Sequence, residues 1–194
     1  MRKILVLVLA VLFISCESFE HESEFDKSFQ KWKSFKNSSN NSYKYVVSRG
    51  SWVGVSWETE IVVNSGEITE RNFRYTSWGT VARPLTGWDD SSAQLFKEKY
   101  PEMPQGRLNE LLSSLEWSER KIELGTHKDT PAFDLWTLDQ IYTKAKDEWL
   151  VKRDDATTYF ETKNSGMISF CGFVPNNCQD DCFRGVSIRS IEAI

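Results

Sequence analysis

The sequence predicts an α+β fold, an antiparallel sheet with helices packed on one face. Three observations carry that reading. Short segments rich in β-branched and aromatic residues recur along the chain, two amphipathic stretches have helical spacing, and an Asn-Ser-Gly tripeptide separates strand signals at 64–66 and again at 164–166. The order helix then strands occurs on both sides of a long middle segment. This suggests a tandem arrangement, about 25–78 and 137–194, around an insertion at 79–136.

The first fifteen residues are excluded from that fold. Arg2 and Lys3 precede an apolar run from Ile4 to Ile14, then the small residue Ser15 and Cys16. A basic start, a short apolar stretch and a small residue before a cysteine make an export signal, too short to span a hydrocarbon core about 30 Å thick as a mature helix. The four residues Phe13, Ile14, Ser15 and Cys16 resemble the lipobox of bacterial lipoprotein signal peptides, with Phe13 departing from the commonest pattern. The resemblance implies that Cys16 becomes a diacylated N-terminus. The protein is then anchored through that lipid in the cell envelope, in the outer membrane on its periplasmic face or at the cell surface. More than one acyl chain makes such attachment stable. The alternative is a plain secretory peptide cut near Ser15, with the protein secreted.

Residues 16–24, with Glu17, Glu20, Glu22 and Glu24, show no helical or strand period and read as an acidic tether. Beyond it, 25–194 is long enough for a single domain with a sizeable core. Without Arg2 and Lys3, 22 basic residues face 28 acidic ones. That balance argues against nucleic acid or an anionic lipid surface as a partner. The 8 Trp and 12 Phe suit core and cross-strand packing before ligand platforms.

Phe25, Phe29, Trp32 and, at the next turn, either Phe35 or Lys36 form one stripe at helical spacing, ended by the polar loop 37–42. Two N-x-S sequons, at Asn37 and Asn40, lie there. Strand signals follow at 43–48, 58–63 and 67–76, the last two joined by a Gly hairpin with a bulge. In the insertion, Asp89 to Ser92 cap a helix carrying Leu95, Phe96 and Tyr100. Pro101 and Pro104 separate it from a second with Leu108, Leu111, Leu112 and Leu115. Residues 117–124 return as a strand, and 125–131 is a loop containing His127.

Thr137-Leu138-Asp139-Gln140 reads as a capping box opening a helix with Leu138, Ile141, Tyr142, Ala145 and Trp149 on one side. Strands are expected at 157–163, 167–173 and 186–191. Together with Trp32-Lys33, Tyr43-Lys44-Tyr45 and the stretch from Cys171-Gly172 to Cys182, these motifs are similar to those of a family of small exported domains known only as a domain of unknown function. That resemblance implies the element order but no activity and no catalytic residues.

Cys171, Cys178 and Cys182 carry the densest chemistry. Outside the cytoplasm they are disulfide candidates, and an odd number leaves one unpaired, which two of the three being open. A metal site or a reactive thiol is the other use of such a cluster, but only His21 and His127 could add histidine ligands. Asp180 and Asp181 invite a Ca²⁺ reading, yet the spaced acidic array of a calcium loop is absent, and they read as solvated turn acids, like Asp89-Asp90 and Asp154-Asp155. No catalytic residue, metal site or cofactor motif emerges: G-x-S-x-G, H-E-x-x-H, Walker and G-x-G-x-x-G patterns are missing. His127 reads as an exposed loop residue.

The sequence thus points to a non-catalytic binding module, anchored to the membrane through Cys16, with an envelope protein or a saccharide as partner. The competing reading is a hydrolase or thiol enzyme centred on the Cys171–Cys182 loop. An exposed apolar patch across Trp52, Trp57, Trp78 and Trp88 is expected of the first. A cleft with a free thiol, or with Asp180, Asp181 and His127 clustered, is expected of the second.

Overall fold

The computed structural model describes residues 19–194. The signal segment and Cys16 lie outside the described residues. The architecture is α+β, an antiparallel sheet of 8 strands with helices against it.

Helix α1 spans Glu22–Ser38, three residues earlier than the apolar stripe suggests. Glu22 and Glu24 in its first turn and Lys36 in its last complement the helix dipole, which makes the acidic segment a favourable start. Phe19 bridges Val151, the Glu20 amide donates to the Leu150 carbonyl at 2.7 Å, and the Phe19 ring meets Phe25 edge-on at 5.3 Å. The expected tether at 16–24 is therefore folded from Phe19 onward.

Strands β1 (Tyr43–Ser51), β2 (Val55–Asn64) and β3 (Glu67–Trp78) follow as a meander. The β2–β3 turn is the expected hairpin. Ser65 and Gly66 have φ of 50° and 90°, and the register shifts beside Val62 and Val63 as a bulge requires. Short strand β4 (Val81–Ala82) and strand β5 (Glu116–Arg120) share the outer edge of β3. Between them lie α2 (Asp90–Lys99), capped by Asp89 and Ser92, and α3 (Gln105–Ser114). Strand β5 stops short of the expected 117–124 because Lys121 turns to positive φ and opens a 3₁₀ turn.

Helix α4 (Leu138–Lys144) opens on the capping box, the Thr137 amide donating to Gln140 at 2.7 Å, and ends in a π turn over Ala145–Trp149. Strands β6 (Ala156–Glu161), β7 (Phe170–Pro175) and β8 (Arg184–Ala193) complete the sheet. β7 starts later than expected because Met167 to Ser169 serve the turn. Asn164 donates there to the carbonyls of Ile168 and Ile188, at 2.9 and 3.0 Å.

The strand order is β4-β3-β2-β1-β8-β7-β6, so one sheet runs through both halves, joined where β1 pairs with β8. Helix then three strands does occur twice. The first half builds from the sheet centre to its edge and the second from edge to centre, so the halves repeat in order but not in position.

Alternation along the strands sends Tyr43, Tyr45, Ile61, Val63, Cys171, Val186 and Ile188 into one core with Phe25, Trp32, Ile141, Tyr142 and Ala145. Its buried polar groups are satisfied: Trp32 donates to Asp139 at 2.9 Å, and the Tyr142 hydroxyl pairs with Ser28 at 2.8 Å and accepts the Ile168 amide at 3.2 Å. A second, smaller core of Val81, Phe96, Leu108 and Leu115 lies under the insertion. The face away from α1 and α4 is polar between β1 and β3. Glu58, only 5% exposed, is held there by Arg74 and Arg189.

Candidate functional site: an aromatic groove on the open face

On β7, Cys171 and Phe173 point into the core, so Phe170, Gly172 and Val174 face the other way. Tyr159 of β6 lies opposite Gly172, and Ser187 of β8 opposite Phe170. Gly172 and Gly185 face each other across β7 and β8. A Cβ on Gly185 would stand 2.1 Å from the Cys171 carbonyl oxygen, and one on Gly172 would stand 2.7 Å from the Phe183 ring. The missing side chains therefore let the strands close up and let Phe183 lie over the backbone. Phe183 stacks on Phe170 with centroids 4.4 Å apart and planes at 11°, and Tyr159 meets Phe170 at 67°.

These rings floor a cavity of about 450 Å³. Its rim brings in Ser48, Arg49, Ser51, Trp57 and Asp181. Arg49 donates to the Gly185 carbonyl at 2.6 Å; burial lowers its pKa, and Asp134 acts against that. Ser51 donates to Asp181 at 2.9 Å, tying the β1–β2 hairpin to the loop between β7 and β8. A second cavity, about 490 Å³, adjoins along Ser48, Phe170 and Ser187 and adds Glu161, Lys163 and Arg189. The site is concave and largely apolar with a few fixed polar groups, the arrangement small-ligand sites favour.

No family model, curated protein or solved structure matches the chain.

Cys178 and Cys182 pair, their Cα atoms 6.1 Å apart, within disulfide range, and staple the loop that carries Asp181 and leads into Phe183. Cys171 is the unpaired thiol, fully buried, and that burial pushes its pKa well above the ordinary value. The cluster is thus structural, with no accessible thiolate for the thiol-enzyme reading. Among the described residues no group of three or more His, Cys, Asp or Glu is placed to hold a metal ion. Asp181 belongs to the groove rim and His127 to a different cavity, so Asp180, Asp181 and His127 do not cluster in one cleft.

The four tryptophans do not share one role. Trp52 is 76% exposed at the β1–β2 tip. Trp57 is half-buried and donates to the Pro131 carbonyl at 2.8 Å, while Trp78 and Trp88 pack against the insertion core. The expected patch is replaced by the Tyr159, Phe170 and Phe183 shelf, which sequence spacing does not single out because Phe183 arrives from a loop.

His127 is the exposed loop residue expected, its side chain 40% exposed, and it is also fixed in place. Its ring lies flat on Trp117 at 4.0 Å and 2°, with Nδ1 3.0 Å from a Glu119 carboxylate that is fully buried. Glu119 also accepts from Arg71 Nε at 2.9 Å and from the amides of Gly125 and His127 at 2.8 and 2.5 Å. Burial alone would raise the Glu119 pKa. The Arg71 hydrogen bond and the two amides outweigh it and hold the carboxyl down at about 2. Among the described residues no hydroxyl or thiol hydrogen-bonds the imidazole ring, so the cluster lacks the nucleophile–base pairing of covalent catalysis. It fastens the loop after β5 to the edge of the sheet. The only trace of it in sequence is the alternation of Trp117 and Glu119.

Proposed function

We propose that this chain is a non-catalytic, lipid-anchored module of the cell envelope whose open-face groove binds a saccharide. The observation that carries the reading is the aromatic shelf of Tyr159, Phe170 and Phe183 beside Arg49, Asp181 and the rim serines. Flat rings offer apolar faces to the C–H surfaces of a sugar, and fixed charged and hydroxyl groups at the rim suit its hydroxyls. The lipobox resemblance at Cys16 supports the anchored location, with secretion as the alternative.

Titration calorimetry of the folded domain against envelope oligosaccharides tests the groove. Binding lost in Tyr159→Ala and Phe183→Ala, but kept in Leu85→Ala at a fully exposed site elsewhere, is the expected result. No oligosaccharide binding, with crosslinking in cells that captures an envelope protein dependent on Tyr159, would replace the saccharide by a protein partner. Cys16→Ala should release the protein from membranes without unfolding it. Attachment persisting with normal processing would overturn the anchor.

A further inference from the structure

The fold places the start of the described chain at a definite end of the sheet. Phe19 and Glu20 pair with Val151 and Leu150, and Glu20 contacts Thr158 near the start of β6. β6 starts where β7 ends, as Ala156 opposite Pro175 and the Asn176 amide donating to Asp155 show. β8 starts at this same end, where Ser51 of the β1–β2 hairpin donates to Asp181. Helix α1 then runs to the opposite end, where the Gly66 amide of the β2–β3 turn donates to the Asn41 carbonyl. The N-terminal entry, the Cys178–Cys182 loop and the β1–β2 tip therefore share one end.

That end carries Trp52 and Val53, 76% and 53% exposed at adjacent positions of a tight tip. Only Glu17 and Ser18 separate Cys16 from folded Phe19, and a chain of that length reaches at most about 10 Å. A tether this short does not let the domain drift from a lipid held at Cys16. An indole beside a β-branched side chain is suited to the boundary between headgroups and acyl chains. Asp154, Asp155, Asp180 and Asp181 share this end with Lys152, Arg153 and Arg184, a near-balanced set of charges that gives little net attraction to anionic lipid, so the contact rests on the apolar tip.

We infer that the domain docks end-on to the bilayer surface through Trp52 and Val53, held there by the lipid on Cys16. The inference rests on the lipid-anchor reading above. Ser51 and Asp181 lie both at this end and on the groove rim, so docking sets the groove mouth beside the membrane.

The test uses the full-length, processed protein in phosphatidylcholine–phosphatidylethanolamine vesicles containing a spin-labelled lipid. Val53→Cys, or Glu67→Cys at the opposite end, carries an environment-sensitive fluorophore; in the acylated protein the Cys16 sulfur is a thioether, Cys171 is buried and Cys178 and Cys182 are bonded, so the introduced thiol is the one labelled. Several-fold stronger quenching and a blue shift at position 53 relative to 67, both lost on adding Trp52→Ala, are expected. Mass spectrometry of the N-terminal peptide separates the two ways of failing. An acylated Cys16 with equal, weak quenching at 53 and 67 overturns the docking alone. An unmodified Cys16 overturns the anchor and the docking together.

Discussion

The carboxylate of Glu119, fully buried, lies 3.0 Å from His127 Nδ1 and holds the imidazole flat against Trp117. On its other side the same carboxylate neutralises Arg71, which is 6% exposed. A loop histidine and a strand arginine are thus fixed by one acid.

Glu119→Gln should therefore destabilise the protein by about 3 to 5 kcal/mol, because Arg71 stays buried without its counter-charge. Urea unfolding followed by fluorescence of Trp117 and the other tryptophans reads this directly. A loss below about 1 kcal/mol would mean that Arg71 reaches water when its partner is removed.

The same carboxylate sets an acid limit. Its pKa is held at about 2, below the ordinary 4.5, so the folded form binds the proton less readily than the unfolded chain. The resulting stability, about 3 kcal/mol, is present above pH 4.5 and is lost as pH falls towards 2. Stability measured across that window should fall with acid in the native chain and fall less in Glu119→Gln. Parallel curves for the two would remove Glu119 as the source.

Gly185→Ala should damage fold and groove together. The added methyl meets the Cys171 carbonyl oxygen at 2.1 Å, which only backbone movement relieves, at a cost of about 1–3 kcal/mol or more. Separating β7 from β8 also lifts Phe183 off Gly172, so the near-ultraviolet dichroism of the stacked rings should weaken. An unchanged aromatic signal would show that the shelf does not depend on this close approach.

The cysteines should titrate in order. In the folded protein Cys171, Cys178 and Cys182 should be inert to thiol reagents, and denaturation without reductant should expose Cys171 alone. Removing the Cys178–Cys182 bond by paired serine substitution should cost about 2 kcal/mol, the chain-entropy value for so short a loop. Labelling of either residue in the native state would contradict the pairing.

Much of the fold was legible because its signals are local. The Phe25, Phe29, Trp32 stripe, the Asn64-Ser65-Gly66 hairpin, the Thr137 capping box and the Asp89 cap are each specified by neighbours along the chain. The site was not legible in the same way. Tyr159, Phe170 and Phe183 come from β6, β7 and a loop, and they meet only because Gly172 and Gly185 let two strands approach. His127 gave no local cue, since Glu119 and Trp117 reach it only after the chain folds back beyond β5.

By itself the sequence determined the fold class, the element order and the caps, because helix and strand periods and turn chemistry act over a few residues. The tertiary structure decided that β1 pairs with β8 to make one sheet, that Cys171 is the buried odd thiol, and that Phe19 to Glu24 fold instead of tethering. It also decided where the aromatic groove lies and which end of the sheet receives the N-terminus. Each of these depends on contacts between residues far apart in the chain, and their energies are set by burial and close approach that no local pattern encodes.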